Sequence, residues 1–426
     1  MSAAGPPQGA NSAPAGGSDA AKPRAWGNHR SAFPGEGREW IAWAVALVGA
    51  VLFAFAAWLD RRTAFESYLY VWWFLLGIPV GSIAMLAVHN MTGGGWGELV
   101  RPWLETAASV LPLVLLLSIP LFFVMQDLYA WVRPDVIAAD AVVRDKGWYL
   151  SFGFFVLRNA VYFAVWLVAA HRLRKWSFAR SREAPLRDRE RLRALSAIGL
   201  LLYAVTVTFA AVDWIMSLTP HWYSTTFGLL VGIGQTMTAF AFVIACAAWQ
   251  YRDAVDAQAD LPSTGPIDKR WPTDIPGLFQ DLGNLVLMFV MTWAYLAFTQ
   301  YLIIWAEDLP NEIGWYLPRV NTSWPDVALF LIAVHFAVPF LVLLSRRAKR
   351  IPRSRGALAA LLLFAHLVDG FWLVVPTFRP QGITLAWSDL FAVAALGGLF
   401  VAVFQRMLRV PSTLAGRPGV EVPRHD

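Results

Sequence analysis

Ten long apolar runs, almost empty of ionisable side chains, constrain this 426-residue chain more than any motif in it. A bilayer core about 30 Å thick is crossed by about 20 helical residues at 1.5 Å each. Residues 40–59, 67–88 and 106–126 meet that length with no acid or base inside. The run 146–171 is interrupted by Arg158, and 194–218 carries Asp213 toward its end. Residues 222–251 and 282–306 follow, the latter with Asp281 just inside its start, and 327–345, 356–378 and 384–408 complete the set. With 57% hydrophobic and only 15% charged residues, the chain does not read as a water-soluble globule. The expectation is an all-α integral membrane protein: a disordered tail over residues 1–37, a ten-helix domain over 38–409 and a second tail over 410–426. No cleavable signal peptide is read, because the first apolar stretch starts too late.

A net charge of +6 would suit a nucleic-acid partner if the cations formed one patch. They sit instead in short connections: with the amino terminus inside, 27 of the 35 Lys and Arg fall on inner segments and 7 on outer ones, which places both termini in the cytoplasm. The single cysteine, Cys246, lies inside an apolar run, so the chain has no disulfide framework, zinc finger or iron–sulfur ligand set of its own. Of seven histidines only His335 and His366 fall near mid-membrane on adjacent spans, which leaves one b-type haem as the most that counting allows. The run Thr92–Gly97 (TGGGWG) lacks the Lys-Ser/Thr of a phosphate cradle and joins two spans, so it reads as a tight turn.

Ionisable groups inside a bilayer cost several kcal/mol unless paired or hydrated, which makes each a functional candidate. Arg158 and Asp213 lie at depths where the arginine reaches the carboxylate, as a buried ion pair or as part of a site. His335 on span eight falls at a depth similar to His366 and Asp369 on span nine, the last two three residues apart on one helix face. This cluster reads either as a proton-exchange site or as hydrogen-bonded core histidines. Spans two to five and six to nine each start outside. Each set has a glycine-interrupted first helix (Gly77, Pro79, Gly81; Gly228, Gly232, Gly234), a basic or titratable third (Arg158; His335) and an aspartate on the fourth (Asp213; Asp369). That suggests a repeat about an axis along the membrane normal, matched in position and not in sequence, with spans one and ten peripheral. Gln235, Asp281, Asn284 and Gln300 add polar groups on spans six and seven. From the inner side, Glu105, Asp281 and Asn284 could lead water inward, Gln235 and Tyr295 bridge the gap, and His335, His366 and Asp369 carry a proton outward. Asp213, His221 and Tyr223 beside Trp214 and Trp222 are a candidate quinol contact.

The segment Val212–Gly228 (VDWIMSLTPHWYSTTFG) with Gly234 and Gln235, Asp281–Asn284 (DLGN), Trp293–Tyr295 (WAY), Gln300–Trp305 (QYLIIW) and Leu309–Tyr316 (LPNEIGWY) together resemble the ActF family. These are the smaller polysulfide-reductase-type membrane subunits of bacterial alternative complex III, similar to NrfD and PsrC subunits. The likeness spans residues 40–408, and Thr92–Gly97 and Glu105 fit it. It implies two four-helix bundles (helices 2–5 and 6–9) plus two peripheral helices. The implied setting is a quinol-oxidising complex of the bacterial inner membrane, with no redox cofactor bound by this chain. Haem c and iron–sulfur clusters would lie in partner subunits, beside a paralogous ActC-type membrane subunit, with electrons leaving to a cytochrome or a terminal oxidase. Quinol contact and proton translocation are the roles it leaves open for this chain. Where family members often carry histidine before the Asp-Leu-Gly-Asn motif, this sequence has Gln280, which puts proton uptake through Asp281 in doubt. The competing classes are a secondary transporter of a small solute and a passive membrane scaffold.

Overall fold

The computed structural model describes residues 39–177, 185–259 and 275–409. The two tails expected at 1–37 and 410–426 lie outside these. Among the described residues ten helices are long and apolar enough to cross a membrane: α1 Glu39–Leu59, α2 Arg61–Thr92, α3 Gly95–Phe123, α4 Phe152–Lys175, α5 Leu186–Leu218, α6 Phe227–Tyr251, α7 Pro276–Glu307, α8 Pro325–Leu344, α9 Arg353–Thr377 and α10 Trp387–Leu408. Among the described residues there is no strand. The chain is an all-α, multi-pass membrane protein.

α3 starts at Gly95 and not near residue 106, because the charges that seemed to forbid it neutralise one another along the helix. Arg101 donates to Glu105 over 2.7 Å and lies 3.9 Å from Glu98. The helix breaks at Val110, where Pro112 has no N–H to offer the carbonyl one turn back.

α2 to α5 pack on one another, as do α6 to α9, and the two groups meet where α2 lies against α6 and α9 and where α5 lies against α6. α1 and α10 pair with each other and lean on α2. Burial follows this order: 89% of the most apolar stretch of α2 is inside the protein, against 11% for α1. α2 is apolar all round, as a helix enclosed by others must be.

Small residues let the central helices approach. A Cβ on Gly81 of α2 would collide with the Gln235 carbonyl of α6, and one on Gly228 with Thr208 of α5. α2 and α6 run unbroken through the glycines and Pro79 that seemed to interrupt them. Their glycines serve contact and not discontinuity, as is common where membrane helices pack without a hydrophobic drive between them. Gly81→Val is expected to lower stability by about 1–3 kcal/mol through overpacking, read as a fall in the thermal unfolding midpoint of the detergent-solubilised protein. Gly49 of α1 and Gly398 of α10 make a similar seam, each against the partner helix's backbone.

The peripheral pair is pinned through one arginine. Arg379, after α9, reaches Glu66 of α2 at 3.3 Å and Asp389 of α10 at 3.1 Å, and Asp389 also accepts from Ser67 at 2.6 Å. At the other end of the molecule, where the arginine-rich connections lie, Gly93 and Gly94 take φ of 74° and 98°. The His89 ring packs on Trp96 and meets the Gly94 carbonyl at 3.0 Å, filling the space beside Gly97. TGGGWG is therefore a closed turn and holds no cradle.

Candidate functional site

Near the middle of α8, residues Leu331–Ala337 form a π turn. Pro339 explains it: four residues after His335, it has no N–H for the His335 carbonyl, so the helix widens. The wide turn carries His335, wholly buried, against the edge of the Trp293 indole of α7 at 4.1 Å between centroids. Its ring lies 5.5 Å from that of His366 on α9. One turn on, Asp369 places Oδ2 3.5 Å from His366 Nδ1, beyond a normal hydrogen bond.

Unpartnered atoms are concentrated here. Neither ring nitrogen of His335, nor Nδ1 of His366, nor Oε1 of Gln235 has a hydrogen-bond partner. Gln235, His366 and Asp369 line a narrow, partly enclosed cavity with Trp73, Phe74 and Gly370, and its free volume of about 10 Å³ suits a single water. Gly234 makes room for His366, whose Cε1 lies 2.6 Å from where a Cβ would stand. Buried polar groups normally find partners, so the cluster has donors and acceptors to spare for a proton, a water or an ion. The ligand atoms of His335, His366 and Asp369 lie within 4.8 Å of one another, a spacing that also admits a metal. A divalent ion would bring net positive charge to a desolvated site with one carboxylate, which is costlier than a shared proton.

The corresponding place in the first half is closed. Arg158 holds Asp213 with two bonds of 2.8 Å, and Tyr162 donates to the same carboxylate at 2.8 Å. The guanidinium gives its remaining bond to the Tyr149 carbonyl and lies 3.8 Å over the Tyr149 ring. This satisfied, bidentate pair leaves Asp213 no free oxygen for a ligand.

The other residues singled out by sequence fall elsewhere. Glu105 is held by Arg101 and by Ser177, whose hydroxyl donates over 2.7 Å. Asp281 is exposed, and Asn284 accepts from Lys349 at 2.7 Å. Burial, together with the neighbouring Arg355 and Arg346, pushes the Lys349 ammonium below the usual lysine range. Gln235 does join the central cluster, at its depth and not between it and the inner groups. Tyr295 does not: it is 67% exposed on the outward face of α7. Asp213, His221 and Tyr223 do not converge on a quinol pocket, since Asp213 is sealed while His221 pairs with Asp140 at 3.0 Å and Tyr223 is exposed.

Sequence reasoning passed over Trp293, the wall behind His335, and Arg319, counted as a loop cation. Arg319 is fully buried, 3.5 Å over the Trp315 ring, and donates to the carbonyls of Trp315, Trp372 and Leu373. Burial pushes its guanidinium below the usual arginine range, and the carbonyls ending α9 compensate. A short internal match was also missed. Ala160–Val165 reads AVYFAV and Ala333–Val338 reads AVHFAV; Val212-Asp213 precedes Pro220 by the same spacing as Val368-Asp369 precedes Pro376. These short matches set His335 opposite Tyr162 and, carried two residues back without a gap, Leu331 opposite Arg158. No protein-family model matches the chain, and no curated protein matches it.

Proposed function

We propose that the chain is a cofactor-free subunit of a quinol-oxidising complex of the alternative complex III type. It lies in the bacterial inner membrane with both termini cytoplasmic, and its own chemistry is proton exchange at His335, His366 and Asp369. The observation that carries the proton reading is the set of unpartnered, buried ring nitrogens beside a carboxylate without an arginine or lysine ion-pair partner among the described residues. Histidine and carboxylate so placed can pass a proton between them or through one water. The membership in a complex rests on the ordered motifs. It is supported by the far face, where Arg319 is buried and the α7–α8 loop shows Glu307 and Asp308 to its surroundings beside exposed Trp305. Iron–sulfur and c-type haem subunits and an ActC-type membrane subunit are the partners this reading calls for. Continuous α2 and α6 and a cavity sized for one water weigh against a solute carrier.

Purification from native membranes in mild detergent tests the assembly reading. The chain is expected to bring down proteins with haem and iron–sulfur absorbance, with cross-links from residues 307–323 to soluble partners. Isolation as a homogeneous, colourless protein that moves a solute when reconstituted alone would reject it.

A further inference from the structure

We propose that Asp213 and Asp369 are two copies of one intramembrane proton site, and that the residues facing them on α4 and α8 decide which copy exchanges protons. This rests on the proton reading of the second-half cluster. The sequence match aligns Tyr162 with His335, Arg158 with Leu331 and Asp213 with Asp369. The structure pairs them alike: Tyr162 of α4 donates to Asp213 of α5, and His335 of α8 stands beside Asp369 of α9.

Three changes separate the copies. A guanidinium at 158 binds both oxygens of Asp213, while Leu331, 4% exposed, offers nothing to Asp369. A tyrosine at 162 donates and stays in place, whereas the histidine at 335 has two unpartnered nitrogens and can give or take a proton. Pro339 and the π turn have no counterpart in α4, which is α-helical from Phe152 to Lys175. The groups facing Asp369 are His366 on its own helix, His335 from α8, Trp293 from α7, whose indole N–H hydrogen-bonds the carboxylate, and Gln235 from α6 across the cavity. None is a fixed cation. The first copy is therefore locked as an ion pair, and the second is open. Residue 331 acts as a positioning residue for the proton on Asp369, and His335 is a group that exchanges it.

Transplanting the lock tests this. In the intact complex, Leu331→Arg with His335→Tyr is expected to retain quinol oxidation and to lower protons moved per electron to the level of Asp369→Asn. It should also erase the protonated-carboxyl stretch in the infrared difference spectrum, the same band that Asp369→Asn removes from the native protein. An assembled double variant that keeps the native stoichiometry or the band overturns the proposal. Where the arginine blocks assembly, Leu331→Lys with His335→Tyr delivers a slimmer cation and carries the same two readouts. A band lost on transplant, together with native stoichiometry in Asp369→Asn, would keep the two-copy relation and reject the translocation reading beneath it.

Discussion

Asp369→Asn is expected to leave the complex assembled and oxidising quinol, while the protons moved per electron fall by the whole share that passes through this chain. Asparagine keeps the size of the side chain and can still hydrogen-bond, but it cannot take up the proton. Asp369 is buried beside His366 and a cavity with room for about one water, and it is the one carboxylate among the described residues that line it. Reconstitution into vesicles, with simultaneous readout of electron flux and acidification, separates the two activities. Unchanged stoichiometry in an intact complex would assign the cluster a packing role only.

The second large effect falls on the locked copy. Arg158→Leu removes both charged bonds to Asp213 and leaves a wholly buried carboxylate with Tyr162 as its remaining side-chain donor. Breaking one side of a buried pair costs about 3–5 kcal/mol, much of the 5–15 kcal/mol that holds a typical domain together. A sharp loss of detergent-stable protein and of unfolding temperature is expected. Arg158→Leu combined with Asp213→Leu should recover most of it, since removing both charges together is often neutral or favourable. A single variant as stable as the native protein would show that Asp213 takes no stability from its arginine.

The spans were legible because a bilayer imposes length and apolarity on every crossing helix. The exception is instructive: α3 was read short because Glu98, Arg101 and Glu105 look hostile to a span one residue at a time, yet cancel when wound at three and four residue intervals. Arg158 and Asp213 were legible as a pair for the same energetic reason. Facing directions were not. Trp293 and Tyr295 are two residues apart, about 200° around a helix of 3.6 residues per turn. Once Trp293 meets His335, Tyr295 must point away. Depth counted from span ends sets Arg158 opposite His335, whereas the short match sets Tyr162 there, because depth depends on where each span is taken to end and a sequence match does not. The π turn was foreshadowed by Pro339, but a proline alone does not say how the freed carbonyl will be accommodated.

The π turn of α8 also bears on how two equal halves come to differ. Such a turn spreads its residues over a wider backbone circle than an α-helical turn, and the gap-free match of 160–165 with 333–338 shows that it needs no added residue. One proline can thus give position 335 an environment unlike that of Tyr162 without redrawing any loop. Replacing Pro339 would restore the missing N–H, and the helix would regain the winding that α4 keeps from end to end.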